Sequence, residues 1–146
     1  MVESETKKES ENKQENGSGG LEYDPLPDGT FAVSAVTTLN LSEIIIPETY
    51  KGKAVSAILP EAFQNATKLT SITIPSSVTS IDAPAFHYCS SLTTVYYGST
   101  ADDWARISIG NGNSHLTNAT RYYYSETQPT TTGNYWHYVD GVPTKW

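Results

Sequence analysis

This 146-residue chain is poor in reactive side chains: it carries one cysteine, one methionine and three histidines. The lone Cys89 has no partner for an intramolecular disulfide. His87, His115 and His137 have neither the spacing of a zinc site nor an H-E-x-x-H context. No glycine-rich phosphate loop and no nucleophile elbow occurs. Asn111, Asn113 and Asp102 are the nearest approach to a calcium donor set, and they lack the spaced acidic loop that calcium requires. The chain therefore reads as non-catalytic, with no cofactor and no metal. Bases are scarce as well: nine Lys and Arg stand against sixteen Asp and Glu, for a net charge of −7, which argues against nucleic acid as a partner. No apolar run approaches the roughly 18 residues of a membrane-spanning helix, and no hydrophobic signal core is present.

Charged residues make up only 17% of the chain, whereas Thr, Ser, Tyr and Asn are plentiful, a composition that favours β-structure over long amphipathic helices. Within it runs a 23-residue spacing: Ile58, Phe63, Leu69, Ile72 and Ile74 recur as Ile81, Phe86, Leu92, Val95 and Tyr97. Leu41 to Pro47 matches Leu69 to Pro75 at a spacing of 28, so an earlier copy carries a five-residue insertion near Tyr50, Lys51 and Gly52. A repeat of this length means a solenoid, here of about three units, in which each unit buries its second side only against a neighbour.

Each unit reads as a strand (Leu69 to Ile74), a turn at Pro75, a short return strand (Val78 to Ile81) and a helical turn from Pro84 to Cys89. Pro84 suits the first helical position, and Ala85 and Phe86 drop onto the core. Cys89 aligns with Ala66 and reads as a small buried side chain. His87 aligns with Gln64, a tolerant surface position. Residues 21–124 form the solenoid with its N-terminal cap, a hairpin over Leu21 to Val36 turning at Pro27-Asp28-Gly29 and covering Leu41, Ile44 and Ile46.

Ahead of the cap, residues 1–20 are rich in charged and small polar residues, with five Glu against three Lys, and bury too little to order themselves. The stretch reads as a tether of the kind that follows the lipid-modified cysteine of a bacterial lipoprotein, which would put the protein outside the cell and on its surface. Membrane contact is expected only through such an N-terminal lipid anchor.

After Tyr97 the third copy changes. Thr100 offers a helix N-cap, and Ala101, Trp104, Ala105 and Ser108 fall on one face, so Trp104 is expected to seal the solenoid's side. Gly110 to Asn113 is a turn, and Leu116 restarts the strand pattern through about Tyr124. Arg121 then stands where an apolar residue stood before, either through a slip of frame or because the last strand is an exposed edge guarded by charge. Such an edge could also pair with a second copy, so the oligomeric state is open. Residues 125–134 read as a Thr-rich linker, and residues 135–146 as an aromatic hairpin on a type I′ turn at Asp140-Gly141. Alternation puts Trp136, Tyr138, Pro143 and Lys145 on one face of it and Tyr135, His137, Val139, Val142, Thr144 and Trp146 on the other.

Two binding surfaces are candidates. Strand alternation places two rows across the concave sheet: Glu43, Ser71, Thr94 and Asn118 in one, and Ile45, Thr73, Tyr96 and Thr120 in the other. These suit a polar contact face, and equally an ordinary solvated one. The second candidate is the C-terminal aromatic cluster, where Trp136 and Tyr138 could meet a ligand, although capping the solenoid is the favoured role of these rings.

The units Ile72 to Phe86 and Cys89-Ser-Ser-Leu92 resemble the BspA-like, or Treponema-type, leucine-rich repeat of bacterial surface proteins. Residues 135–146 also resemble a module found behind such repeats in anaerobic gut bacteria. The resemblance implies a mostly β, right-handed leucine-rich-repeat solenoid on a secreted or cell-anchored protein, acting by adhesion to host or bacterial proteins. A carbohydrate-binding module built on the C-terminal aromatics and a structural spacer or display domain are the alternatives.

Overall fold

The structure, a computed structural model, describes residues 20–37 and 39–146, so all of the expected tether except Gly20 lies outside the described residues. The described chain forms strands β1 (Leu21–Pro25), β2 (Phe31–Val36), β3 (Glu43–Ile45), β4 (Thr49–Tyr50), β5 (Lys53–Ile58), β6 (Ser71–Ile74), β7 (Ser80–Ile81), β8 (Thr94–Tyr97), β9 (Ser108–Ile109), β10 (Thr120–Tyr124), β11 (Tyr135–Val139) and β12 (Val142–Lys145). They make two sheets. The back sheet runs β1-β2-β5-β7-β9, with β4 attached to β5, and the front sheet runs β12-β11-β10-β8-β6-β3.

The chain crosses from back to front four times, from β2 to β3, β5 to β6, β7 to β8 and β9 to β10. The solenoid thus has one more turn than the spacing alone revealed. The N-terminal hairpin is itself the start of the back sheet: β2 pairs parallel with β5 and β1 lies outside it. It therefore covers the first turn from the back, with Ala32 and Val33 wholly buried. The five-residue insertion is a small hairpin, β4 against β5, turning at Lys51 and Gly52, whose φ values of 51° and 76° are those of a type I′ turn.

Between the sheets lies one core. Ile44, Ile72 and Val95 form an inward row from the front sheet, Ile74 and Tyr97 the next, and Val33, Val55, Ile58, Val78 and Ile81 meet them from the back. The third side is built from tight hydrogen-bonded turns in place of the expected helical ones, and Pro84 enters its turn through a cis peptide bond. These turns stack Phe63 on Phe86 with ring centres 4.9 Å apart. Their backbones join from unit to unit, with Val36 N donating to Ala62 O at 3.1 Å and Phe63 N to Ala85 O at 2.8 Å.

Cys89 sits in this wall, fully buried, its thiol donating to Phe63 O at 3.1 Å. Burial pushes the thiol from an ordinary 9.0 up to about 11. Its folded value lies above its unfolded one, so the contribution to stability is intact below pH 9 and is lost as pH rises toward about 11. A thiol reagent at neutral pH is expected to leave the native chain unmodified and to label it only in denaturant. Prompt labelling of the native chain would contradict this burial.

The fourth turn departs from its predecessors. Thr100 caps the helix Ala101–Ala105, accepting from Asp103 N at 3.2 Å, and Trp104 is buried edge-on against Tyr97. The rest of the expected helical face differs: Ala101, Ala105 and Ser108 are exposed, and Ile107 takes the inner position. Gly110 passes so close to the preceding unit that a Cβ there would lie 2.6 Å from Ala83 N. Asn113, the turn's last residue, is 2% exposed. Its side-chain oxygen accepts from Phe86 N at 2.9 Å, and its amide donates to Asp82 O at 3.1 Å and Gly110 O at 2.9 Å.

Candidate binding face

The register of the front sheet fixes which side chains share its outer surface. Glu43, Ser71, Thr94 and Thr120 are paired neighbours in one row, and Ile45, Thr73, Tyr96 and Tyr122 in the next. Both rows keep their first three expected members, and each changes its fourth. Asn118 is not on the sheet: it ends the short helix Ser114–Thr117. Thr120 moves from the second row to the first, and Tyr122 takes the place it vacates.

The reason lies at Leu116. It is fully buried, as Leu69 is, and each of Leu69 and Leu92 stands two residues before its strand. In the last turn the helix inserts two further residues between Leu116 and β10. A shift of two preserves which face each side chain takes and changes only its row. Arg121 accordingly points inward, paired with Val95, its guanidinium 4.6 Å from the Trp104 ring and its Nε donating to Tyr123 Oη at 3.0 Å. The frame does slip, by two residues, which keeps Arg121 at an inward position; the edge guard is what fails, since β10 is an interior strand and the arginine covers an indole.

The C-terminal hairpin continues this same sheet. β11 pairs parallel with β10, placing Tyr124 beside Trp136, and β12 follows antiparallel with Trp136 opposite Lys145 and Tyr138 opposite Pro143. Residues 125–134 fold back to bring β11 alongside, held where Ser125 N donates to Trp136 O at 2.9 Å and Trp146 Nε1 to Ser125 O at 2.7 Å. The turn at Asp140 and Gly141 has φ of 51° and 78°, the expected type I′ geometry.

The two candidate surfaces are therefore one. Trp136 stands on the outer face at the end of the rows, ringed by Tyr96 at 5.4 Å, Tyr124 at 5.2 Å and Tyr138 at 4.9 Å between ring centres. It is not a ligand contact as it stands. The indole is 1% exposed, and its Nε1 donates to Tyr97 O at 2.7 Å, so it anchors the hairpin beneath the tyrosines. Tyr138, half-buried, stays at the surface. Thr73 is also covered, at 3% exposure, which leaves Ser71, Thr94 and Thr120 as the accessible hydroxyl row.

Tyr122 and Tyr124, members of the aromatic cluster in which only Trp136 and Tyr138 are expected from the sequence to meet a ligand, complete the rim. Their signal was the run Tyr122-Tyr123-Tyr124 itself, since in a strand its outer two members share a face. Lys145 reaches over Tyr122, its Nζ 4.9 Å from the ring centre. Burial raises the Tyr96 phenol above its ordinary range, and the Lys145 ammonium works against that rise. Among the described residues no group of three His, Cys, Asp or Glu is placed to hold a metal, and no helix is long and apolar enough to cross a membrane.

The family model of the BspA type leucine rich repeat region (6 copies) matches residues 31–121. A crystal structure of a leucine rich cell surface protein from Faecalibacterium prausnitzii A2-165 matches with a TM-score of 0.57 and 27% identity, over 74% of this chain and 32% of that one. This chain thus spans about a third of that protein's length. The T. pallidum leucine rich repeat protein gives a TM-score of 0.45 at 15% identity, over 64% of this chain and 63% of that one. No curated protein matches the sequence. With the repeat, the two-sheet solenoid and the match over residues 31–121 in agreement, the chain belongs to the BspA-type leucine-rich-repeat family.

Proposed function

We propose that this chain is a non-catalytic surface module that adheres to a partner protein through the outer face of its front sheet. The observation that carries the reading is the merging of the hydroxyl rows with the tyrosine rim into one continuous surface. Tyrosine with Ser and Thr is the composition of adaptable protein-contacting surfaces: rings supply area at low entropic cost, and small hydroxyls supply hydrogen bonds. The cell-surface description of the Faecalibacterium protein supports an extracellular setting.

A sugar-binding role is less well served. The rings stand at 40° to 75° to one another, spending their faces on their neighbours, so they form no flat open platform for a pyranose.

The test is binding of the full chain to an array of matrix proteins and glycans at near-physiological salt. Thr94→Glu with Thr120→Glu places two anions on the accessible row, and each substitution is expected to leave the fold intact. Binding to the protein hit should fall at least about tenfold. Unchanged binding by a folded variant would move the site elsewhere, a glycan hit alone would favour the sugar reading, and silence would favour a spacer.

A further inference from the structure

The bases of the described chain are few, and three of them are placed away from the outer face or already engaged. Lys51 lies over Tyr50 on the back-sheet hairpin, Arg106 pairs with Asp103 at 2.9 Å, and Arg121 is turned inward onto Trp104. Lys145 is the base whose position on the outer face the ring geometry fixes, its ammonium over Tyr122 and its chain exposed. No described carboxylate pairs with it, in a chain that has an excess of acids.

The acid in the outer rows, Glu43, is on β3, at the opposite end of the sheet. Five strand spacings separate β3 from β12, about 24 Å at the usual inter-strand distance. Between them the surface is uncharged: Ser71, Thr94 and Thr120 in one row, Tyr96 and Tyr122 in the next, with Tyr124 and Tyr138 beyond. The face is thus a neutral aromatic and hydroxyl floor with a ring-positioned cation at its C-terminal end. An anion brought to that end meets an ammonium beside partly buried rings, where attraction is less screened than in open water.

We propose that this face receives an acidic segment of a partner protein, with a carboxylate seated on Lys145 and neighbouring aromatic or aliphatic side chains on the tyrosine rim. The inference rests on the preceding reading of the face as protein-binding. Lysine and proline on an edge strand also guard against strand pairing, and Lys145 and Pro143 both lie on β12, so the test must separate the two roles.

A phage-displayed library of random peptides is panned on the full chain, and the enriched peptides are remeasured on variants whose unfolding midpoints match the parent. Enriched peptides should carry Asp or Glu beside Tyr, Trp or Leu. Lys145→Met should weaken them about threefold and Lys145→Glu about tenfold or more, with the difference shrinking in high salt. Peptides lost on Thr120→Glu but indifferent to Lys145→Glu would overturn the inference and leave the face as a binding surface. Peptides indifferent to Thr94, Thr120 and Lys145 alike, or no enrichment, would overturn both. Self-association of the Lys145 variants with peptide binding unchanged would assign the lysine to edge protection, again overturning the inference.

Discussion

Trp136→Ala is expected to release the C-terminal hairpin from the front sheet and to cost about 3–5 kcal/mol of stability, the usual range for truncating a buried aromatic. The indole is 1% exposed and touches the rings of Tyr96, Tyr124 and Tyr138. Its removal leaves a cavity where those rings meet and strips Tyr97 O of its 2.7 Å donor. Strand pairing between β10 and β11 covers only two residue pairs, Tyr123 with Tyr135 and Tyr124 with Trp136, so beyond the bonds at Ser125 and the contact of Lys145 with Tyr122 the indole is the main anchor of the hairpin. Urea unfolding gives the loss of stability, and limited proteolysis over residues 125–134 reports the release. A loss below about 1 kcal/mol with the segment still resistant would mean that pairing and the Trp146 to Ser125 bond suffice without the indole.

Asn113→Ala is expected to cost about 2 kcal/mol or more, because the buried Phe86 N loses its partner at about 1–3 kcal/mol and the partly buried carbonyls of Asp82 and Gly110 lose theirs, which water recovers in part. In the earlier units Val36 N finds Ala62 O, and Phe63 N finds Ala85 O. Phe86 has no such carbonyl ahead of it and finds Asn113 Oδ1 in its place. One amide side chain thus stands in for the backbone of the next unit and terminates the ladder, while its NH2 group ties Asp82 O to Gly110 O. Asn113→Asp should fare little better: a carboxylate accepts from Phe86 N but turns its second oxygen toward two carbonyls. Denaturant midpoints of both variants decide the matter. A loss near zero for Asn113→Ala would show that water replaces the amide at no cost.

The parts of this fold that follow from period were readable in the residues, and the parts that follow from a single side chain were not. The 23-residue spacing placed Phe63 over Phe86 and Ile72 beside Val95, and alternation assigned Glu43, Ser71 and Thr94 to one row. It failed at Asn118, where two inserted residues coil into a helix that keeps Leu116 buried and delays the strand. It could not separate Trp136 from Tyr138: both lie on the predicted face, and only the crowding of Tyr96 and Tyr124 buries the first and spares the second. Nor did spacing mark Asn113. In a Gly-Asn-Gly-Asn run it has the composition of an exposed turn, and its burial depends on a backbone donor 27 residues earlier.

The tyrosine rim draws on β8, β10, β11 and β12 alone, through Tyr96, Tyr122, Tyr124, Trp136, Tyr138 and Lys145. None of these contacts reaches β3 or β6. Reach and grip are therefore separately adjustable in this architecture. One whole unit added ahead of Ser71 would carry Glu43 a further strand spacing, about 4.8 Å, from Lys145 while leaving every ring contact as it is. Copy number sets the length of the polar floor, and the last two turns with their hairpin form a fixed head that a lineage could keep while it lengthens or trims the stalk behind it.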